Sequence, residues 1–207
     1  MPALTPLQQL RQLAGEIDGI DLDCYRRHGR DPSEPVLGLG PPDARWCFFG
    51  RDPGEQEVRL QRPFVGAAGQ KIRAVMQEFG LGDEDIYWMN TAPFKPVGNK
   101  PWSKAVRRLC QPPLLQLLAH WQGTAVIAFG EAAFKWFGLG STEVRREIEQ
   151  FWQRPDKYTA HLAIACEVAG VQRRFTLYPV PHPSGANAVW ARQFPDLLRA
   201  RLRAVSP

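Results

Sequence analysis

The feature that most constrains this chain is a series of short apolar runs separated by stretches of helical periodicity. Arg45–Phe49, Ile86–Met89, Thr124–Phe129, His161–Val168 and Arg173–Val180 read as strands. The first three are close to continuous in apolar residues, as expected of strands buried on both faces of a parallel sheet. A helix is expected over 5–18, where Leu7, Leu10, Leu13 and Ile17 share a face, and another over 67–79, with Ile72, Val75, Met76 and Phe79 inward. Ser103 is the expected N-cap of a helix reaching about 121. Shorter helices are expected over 131–137 and 142–152, and a last one over 188–203. This alternation predicts a three-layer α/β/α fold around a central, mainly parallel four-stranded sheet, with 161–168 and 173–180 joined as a hairpin at Ala169-Gly170. At 207 residues and with no internal repeat, residues 1–207 are expected to form a single domain.

Three unusual loops follow the carboxyl ends of predicted strands, the edge at which open α/β sheets bind ligands. The first is GRDPGEQEVRLQRPFVGAAG, residues 50–69. Its glycines allow close backbone approach, Pro53 stiffens the turn beside Asp52, and Pro63 fixes the approach to Phe64. The second, NTAPFKPVGNKP, opens with Asn90, whose side chain carries both a donor and an acceptor. The third is PHPSGAN, in which two prolines flank His182. Each residue also has an ordinary structural reading: Asp52 capping a turn, Phe64 in the core, Asn90 shaping a turn, His182 holding the backbone.

Charge bears on the partner. The chain carries 26 basic against 21 acidic residues, and the excess is unevenly placed. Lys95, Lys100, Lys104, Arg107 and Arg108 fall between Thr91 and Cys110 with no acidic residue among them. From Val171 onward, Arg173, Arg174, Arg192, Arg199, Arg201 and Arg203 face only Asp196. Two such segments flanking one cleft would track a phosphate backbone, while solvated helix faces are the plain alternative. No apolar run approaches the roughly 18–20 residues of a membrane span, and the N-terminus lacks a signal-peptide pattern. A soluble cytoplasmic protein with free thiols is expected. The four cysteines fall in no tight metal spacing, and no HxxxH or carboxylate–histidine cluster marks a metal site.

Taken together, the stretch 48–69, the Asn90–Pro101 loop, AFGEAAFKWFG (128–138) and HPS (182–184) resemble the uracil-DNA glycosylase superfamily in motif order and spacing. The pattern GxxPG followed by RPFVGxAG is similar to the family 4 enzymes, and HPS is shared by families 1 and 4. The resemblance implies specific roles. Asp52 stands where family 1, with GQDPY, carries the aspartate that orients and activates the attacking water. Family 4 usually has GEAPG, placing its acid where this chain has Arg51. Gly54 stands where family 1 has a tyrosine that blocks larger pyrimidines. Phe64 matches the ring that stacks on the extruded base, Asn90 the asparagine that pairs with the uracil edge, and His182 the histidine that contacts uracil O2. Arg51 and Gly54 are counted with Phe64 and Asn90 as base-site residues. Ser184, Gly185, Ala186, Asn187, Lys95, Lys100 and Arg108 are the implied DNA contacts. Ala186 replaces the leucine that family 1 drives into the duplex.

Family 4 holds an iron–sulfur cluster on four cysteines, one of which falls at Phe94 here. Cys24 has no CxxC partner, so no cluster and no other cofactor is expected. The implied activity is monofunctional hydrolysis of the N-glycosidic bond of uracil in DNA, by a monomer binding uracil-containing or abasic DNA. Two alternatives stay open: a catalytically weak lesion-binding relative, and a glycosylase that also accepts hypoxanthine, xanthine or 5-substituted uracil.

Overall fold

The computed structural model describes residues 3–183 and 188–204. Its strands are β1 (Trp46–Gly50), β2 (Ile86–Asn90), β3 (Ala125–Phe129), β4 (Leu162–Val168) and β5 (Val171–Val180), in one sheet of order β2-β1-β3-β5-β4. The first four in that order run parallel, and β4 pairs antiparallel with β5 at the edge. The sheet therefore has five strands, a correction to the four expected. The extra strand comes from the hairpin. Ala169 and Gly170 both adopt positive φ (50° and 82°), the twist that suits a two-residue hairpin turn.

Strands β1, β2 and β3 are buried at every position, which explains their unbroken apolar character. Trp46, Phe48, Trp88, Ile127 and Phe129 face one layer, where α4 (Ala67–Gln77) and α8 (Ala188–Ala204) cover them with Ile72, Val75, Met76, Phe194 and Leu198. Cys47, Phe49, Tyr87, Met89 and Val126 face the other layer. That layer holds α1 (Pro6–Ala14), α5 (Lys104–Leu118), α6 (Glu131–Trp136) and α7 (Thr142–Trp152). Ser103 caps α5 as expected, its hydroxyl accepting from the Val106 N–H at 3.2 Å. Two short helices were not legible in the sequence: α2 (Leu22–Arg27) and α3 (Glu55–Leu60). The latter lies inside the first long loop.

Candidate active site

β1 and β2 run in register, so their last residues, Gly50 and Asn90, stand side by side at the carboxyl edge. A Cβ built on Gly50 would lie 2.4 Å from Phe64 Cζ and 2.5 Å from Asn90 Oδ1. Only glycine fits there, and the vacancy at its Cα is what lets the ring and the amide approach one another. Phe64 itself has φ of 56° and is backed by Trp88 and Phe129, with ring centroids 5.0 and 5.8 Å away. It is half-buried, with part of its ring left to the cavity in front of it.

That cavity has a volume of ≈ 370 Å³. Asp52, Gly54, Phe64, Asn90 and His182 all line it, together with Arg51. Fold topology thus brings three loops, well separated in sequence, to one concavity. Gly130 seats the histidine: it adopts φ of 88°, and a Cβ there would come within 3.2 Å of His182 Cβ. The Lys71 ammonium donates to the Pro183 carbonyl at 3.1 Å, tying α4 to the same segment.

Asp52 lies buried in the wall of this cavity. Its side chain is only 1% exposed, its Oδ2 accepting from Arg51 Nε at 2.8 Å. Burial pushes the carboxyl up to about 6, against the opposing pull of the Arg51 and Arg107 guanidiniums and of a 3.5 Å contact with the Thr91 hydroxyl. His182 moves the other way. Burial, helped by the Arg51 charge, lowers its imidazolium to about 4, so the ring is neutral at pH 7. A buried carboxylate that titrates near 6 beside a neutral imidazole is the pairing a general base and an uncharged hydrogen-bond donor require.

Several residues that build the site carried no functional reading in the sequence. Glu57, buried on α3, accepts from the Gly54 N–H at 3.0 Å and from the Gly66 N–H at 2.7 Å. One carboxylate thereby closes the 50–66 loop across the cavity wall. Its spacing after Gly54 is that of a capping box, the one signal that marked it. Thr91 Oγ1 donates to the Arg51 carbonyl at 2.6 Å, strapping the second loop to the first. Arg51 Nη2 extends the strap to the Asn99 carbonyl at 3.1 Å.

The basic residues divide. Lys100 and Arg108 are exposed. Lys95 is not: it is 4% exposed, its ammonium 2.8 Å from Asp21 Oδ2 and 3.2 Å from the Pro96 carbonyl. Its expected place at a DNA backbone is corrected to an internal ion pair, which holds the Asp21 carboxyl below its ordinary value. Arg173 and Arg201 are likewise spent inside. Arg173 donates to the carbonyls of Trp121 and Gly123, and Arg201 to those of Thr159 and Ala160. Ser184, Gly185, Ala186 and Asn187 lie outside the described residues.

The cysteines do not fit a four-thiolate cluster. Cys47 is in the interior strand β1 and Cys166 in the edge strand β4, while Phe94 is wholly buried in the core. Among the described residues, the one group of three potential metal ligands is Cys24, His28 and Glu55, with a single thiol.

Comparison with known proteins matches this arrangement. Residues 37–206 match the family described as the uracil DNA glycosylase superfamily. The chain is 32% identical over 102 residues to a type-4 uracil-DNA glycosylase of Thermotoga maritima, covering 49% of this chain and 53% of that protein. It is 30% identical over 124 residues to the type-4 enzyme of Pyrobaculum aerophilum, covering 60% of each. A third such enzyme, from Archaeoglobus fulgidus, is 30% identical over 115 residues, covering 54% of this chain and 58% of that protein. The matched stretches thus span little more than half the length of these relatives. The family match covers most of the chain, including every described residue of the cavity wall, and the chain belongs to the uracil DNA glycosylase superfamily.

Proposed function

We propose that the chain hydrolyses the N-glycosidic bond of uracil in DNA, leaving an abasic site. The observation that carries this reading is the convergence of Asp52, Phe64, Asn90 and His182 on one cavity of ≈ 370 Å³. A base inside a duplex is reached only by extruding it, at a cost of a few kcal/mol. The extruded uracil stacks on Phe64 while the Asn90 amide accepts from N3–H and donates to O4. As the bond to C1′ breaks, the sugar becomes oxocarbenium-like and the base an anion. Neutral His182 donates to uracil O2, an effect that in such sites is worth about 3–4 kcal/mol. Asp52, ionised above about 6, orients a water toward C1′, accepts its proton and offsets the charge on the sugar.

Among the described residues lining the cavity there is no lysine, so an amine attack on C1′ has no nucleophile and simple hydrolysis is favoured. Lys100, Arg108 and residues 184–187 are proposed phosphate contacts. We further propose that the protein works as a monomer without a cofactor. Among the described residues no helix is long and apolar enough to cross a membrane. The direct test is alkali-dependent cleavage of an oligonucleotide carrying one uracil. A chain that binds abasic DNA but cuts no substrate would instead be a lesion-binding relative.

The two shifted groups set a pH dependence. Loss of the Asp52 carboxylate below about 6 lowers the rate, whereas His182 stays neutral down to about 4. The expected profile of kcat/KM rises with unit slope at pH values below about 6, bends there and is level from pH 7 to 9. A profile level down to pH 5 would remove Asp52 as the base.

Gly50→Ala tests how the base is read. Its methyl would collide with both Phe64 and Asn90, so both must move. Misplacement of this kind by about 1 Å costs on the order of 10²-fold in rate. Binding to abasic DNA, which rests on phosphates, should stay within a few-fold of the parent in an anisotropy titration. Unchanged excision would show that the ring and amide do not act from these positions.

A further inference from the structure

Where α2 meets the first turn of α3, three metal-ligating side chains come together. Cys24 lies within α2 and His28 is its C-terminal cap, four residues on, so both project from one face of the helix. Glu55 is the first residue of α3, and it reaches His28 across 27 positions of sequence, which is why spacing alone did not mark the group. One donor atom from each of the three lies within 4.8 Å of those of the other two. We infer that Cys24, His28 and Glu55 form a binding site for a thiophilic divalent cation of the Zn²⁺ type, held by one thiolate, one imidazole and one carboxylate, with water in the fourth position.

The donor set selects the ion. A thiolate with an imidazole suits Zn²⁺, whereas Mg²⁺ and Ca²⁺ take oxygen ligands. Two ligands spaced i, i+4 on a helix, completed by a carboxylate from another element, is a way in which helices present zinc ligands. The distances suit it as well. His28 Nε2 and Glu55 Oε1 stand 3.0 Å apart. Two ligands of a tetrahedral ion with bonds of about 2.0–2.1 Å are separated by about 3.3–3.4 Å, so the ion takes the place of the proton this pair shares. The thiol proton passes to solvent as the sulfur bonds the metal. Closing the sulfur onto the ion falls to the His28 and Glu55 side chains, which are 20% and 46% exposed and have room to turn. Cys24 stays put: it is wholly buried, and its backbone N–H donates to Asp21 Oδ1 at 3.1 Å. Thiolate and carboxylate together neutralise the two charges of the ion. Arg27, 3.4 Å from Glu55 Oε1, opposes it, but its side chain is 58% exposed and water screens it. A surface histidine–glutamate pair alone contributes little; a buried thiol within reach of that pair is what distinguishes this one. Glu55 also lies in the wall of the uracil cavity, three residues after Asp52, so the ion would clip α2 to the turn that carries Asp52. The hydrolysis proposed above has no step through it.

Metal binding is read directly on the full, untagged chain after chelation. Co²⁺, a coloured ion that enters zinc sites, is titrated first. One ion per chain is expected, with a tetrahedral d–d spectrum and a thiolate-to-cobalt charge-transfer band of the intensity of a single thiolate. Zn²⁺ should displace the cobalt and bleach both features, and an excess of Mg²⁺ should leave them unchanged. At about a hundred times its Kd, Zn²⁺ should raise the melting temperature by about 5–10 °C. His28→Gln and Glu55→Gln should each weaken Zn²⁺ binding by about tenfold or more, and Cys24→Ala should abolish the charge-transfer band. The two substitutions of partly exposed side chains carry the test even where Cys24→Ala fails to fold. Absence of the band, an intensity of two or more thiolates, displacement by Mg²⁺, or His28→Gln and Glu55→Gln proteins that bind as the wild type does would each overturn the site. Uracil excision is no part of the readout, so the metal site and the glycosylase reading stand or fall separately.

Discussion

Replacing Asp52 by Asn is expected to lower turnover on uracil-containing DNA by about 10²–10⁴-fold, the range that a positioned general base contributes. The fall should lie in kcat, with affinity for abasic DNA unchanged, because the side chain is 1% exposed and touches protein, not the proposed phosphate path. The stability of the variant separates this reading from a structural one. The folded carboxyl titrates at about 6 against an ordinary 3.8, so the fold prefers its protonated form. Ionisation of Asp52 therefore costs the folded state up to about 3 kcal/mol once the pH is above about 6, and nothing below about 3.8. Asparagine removes that cost, although it also weakens the contact with Arg51. At pH 8 the variant should melt no lower than the wild type, while excising uracil hundreds of times more slowly or worse. A variant that melts well below the wild type would make Asp52 a structural ion-pair partner, and one that keeps near-normal turnover would remove it from catalysis.

His182 works in the opposite sense on the same axis. Its folded value of about 4 lies below the ordinary 6.5, so the stability contributed by the neutral ring is complete above pH 6.5 and is lost as the pH falls toward 4. In the wild type the two buried groups offset one another between pH 4 and 6.5. Asp52→Asn exposes the histidine alone, and its melting temperature should fall more steeply with acid than that of the parent.

What was legible in the sequence is what local rules govern. Continuous apolar runs named the strands, and strand ends named the site edge, because a parallel sheet leaves its carboxyl ends open to loops. Gly50 and Asn90 stand together for that reason alone. Charge was less legible, since a linear count cannot see which cations find acceptors in the interior. Lys95 closes on Asp21, 74 positions away, and Arg201 on carbonyls between β4 and the preceding helix, 41 and 42 positions away. Arg107 was counted as one more surface cation, yet its field reaches Asp52 and its Nε–H is buried. Glu57 was hidden for a different reason: its helix is six residues long, too short for periodicity to declare it.

Gly69→Ala is the substitution that should damage fold and site together. Gly69 sits in the first turn of α4, and a Cβ there would lie 1.5 Å from the Phe64 carbonyl oxygen and 2.1 Å from its carbonyl carbon. Backbone cannot rotate aside as a side chain does, so the Phe64 peptide itself must move. That peptide is also held by Arg73, whose guanidinium donates to the same carbonyl, pairs with Asp83 at 2.7 Å and lies over the Trp88 ring. Phe64 is also in the left-handed region, where an aromatic residue has few alternative conformations. Overpacking ordinarily costs about 1–3 kcal/mol, and a backbone collision belongs at the upper end. For a domain of this size that lowers the melting temperature by about 6–12 °C. Because the displaced residue carries the stacking ring, excision should fall by a further factor of about 10² even where the protein remains folded. Gly15→Ala supplies the control. It has φ of −75° and its Cβ would make only an ordinary contact at 3.4 Å, so neither melting nor excision should change by much. If Gly69→Ala melts and cuts like that control, the packing of α4 against the Phe64 peptide is not what seats the ring, and the geometry assigned to the base-stacking wall fails with it.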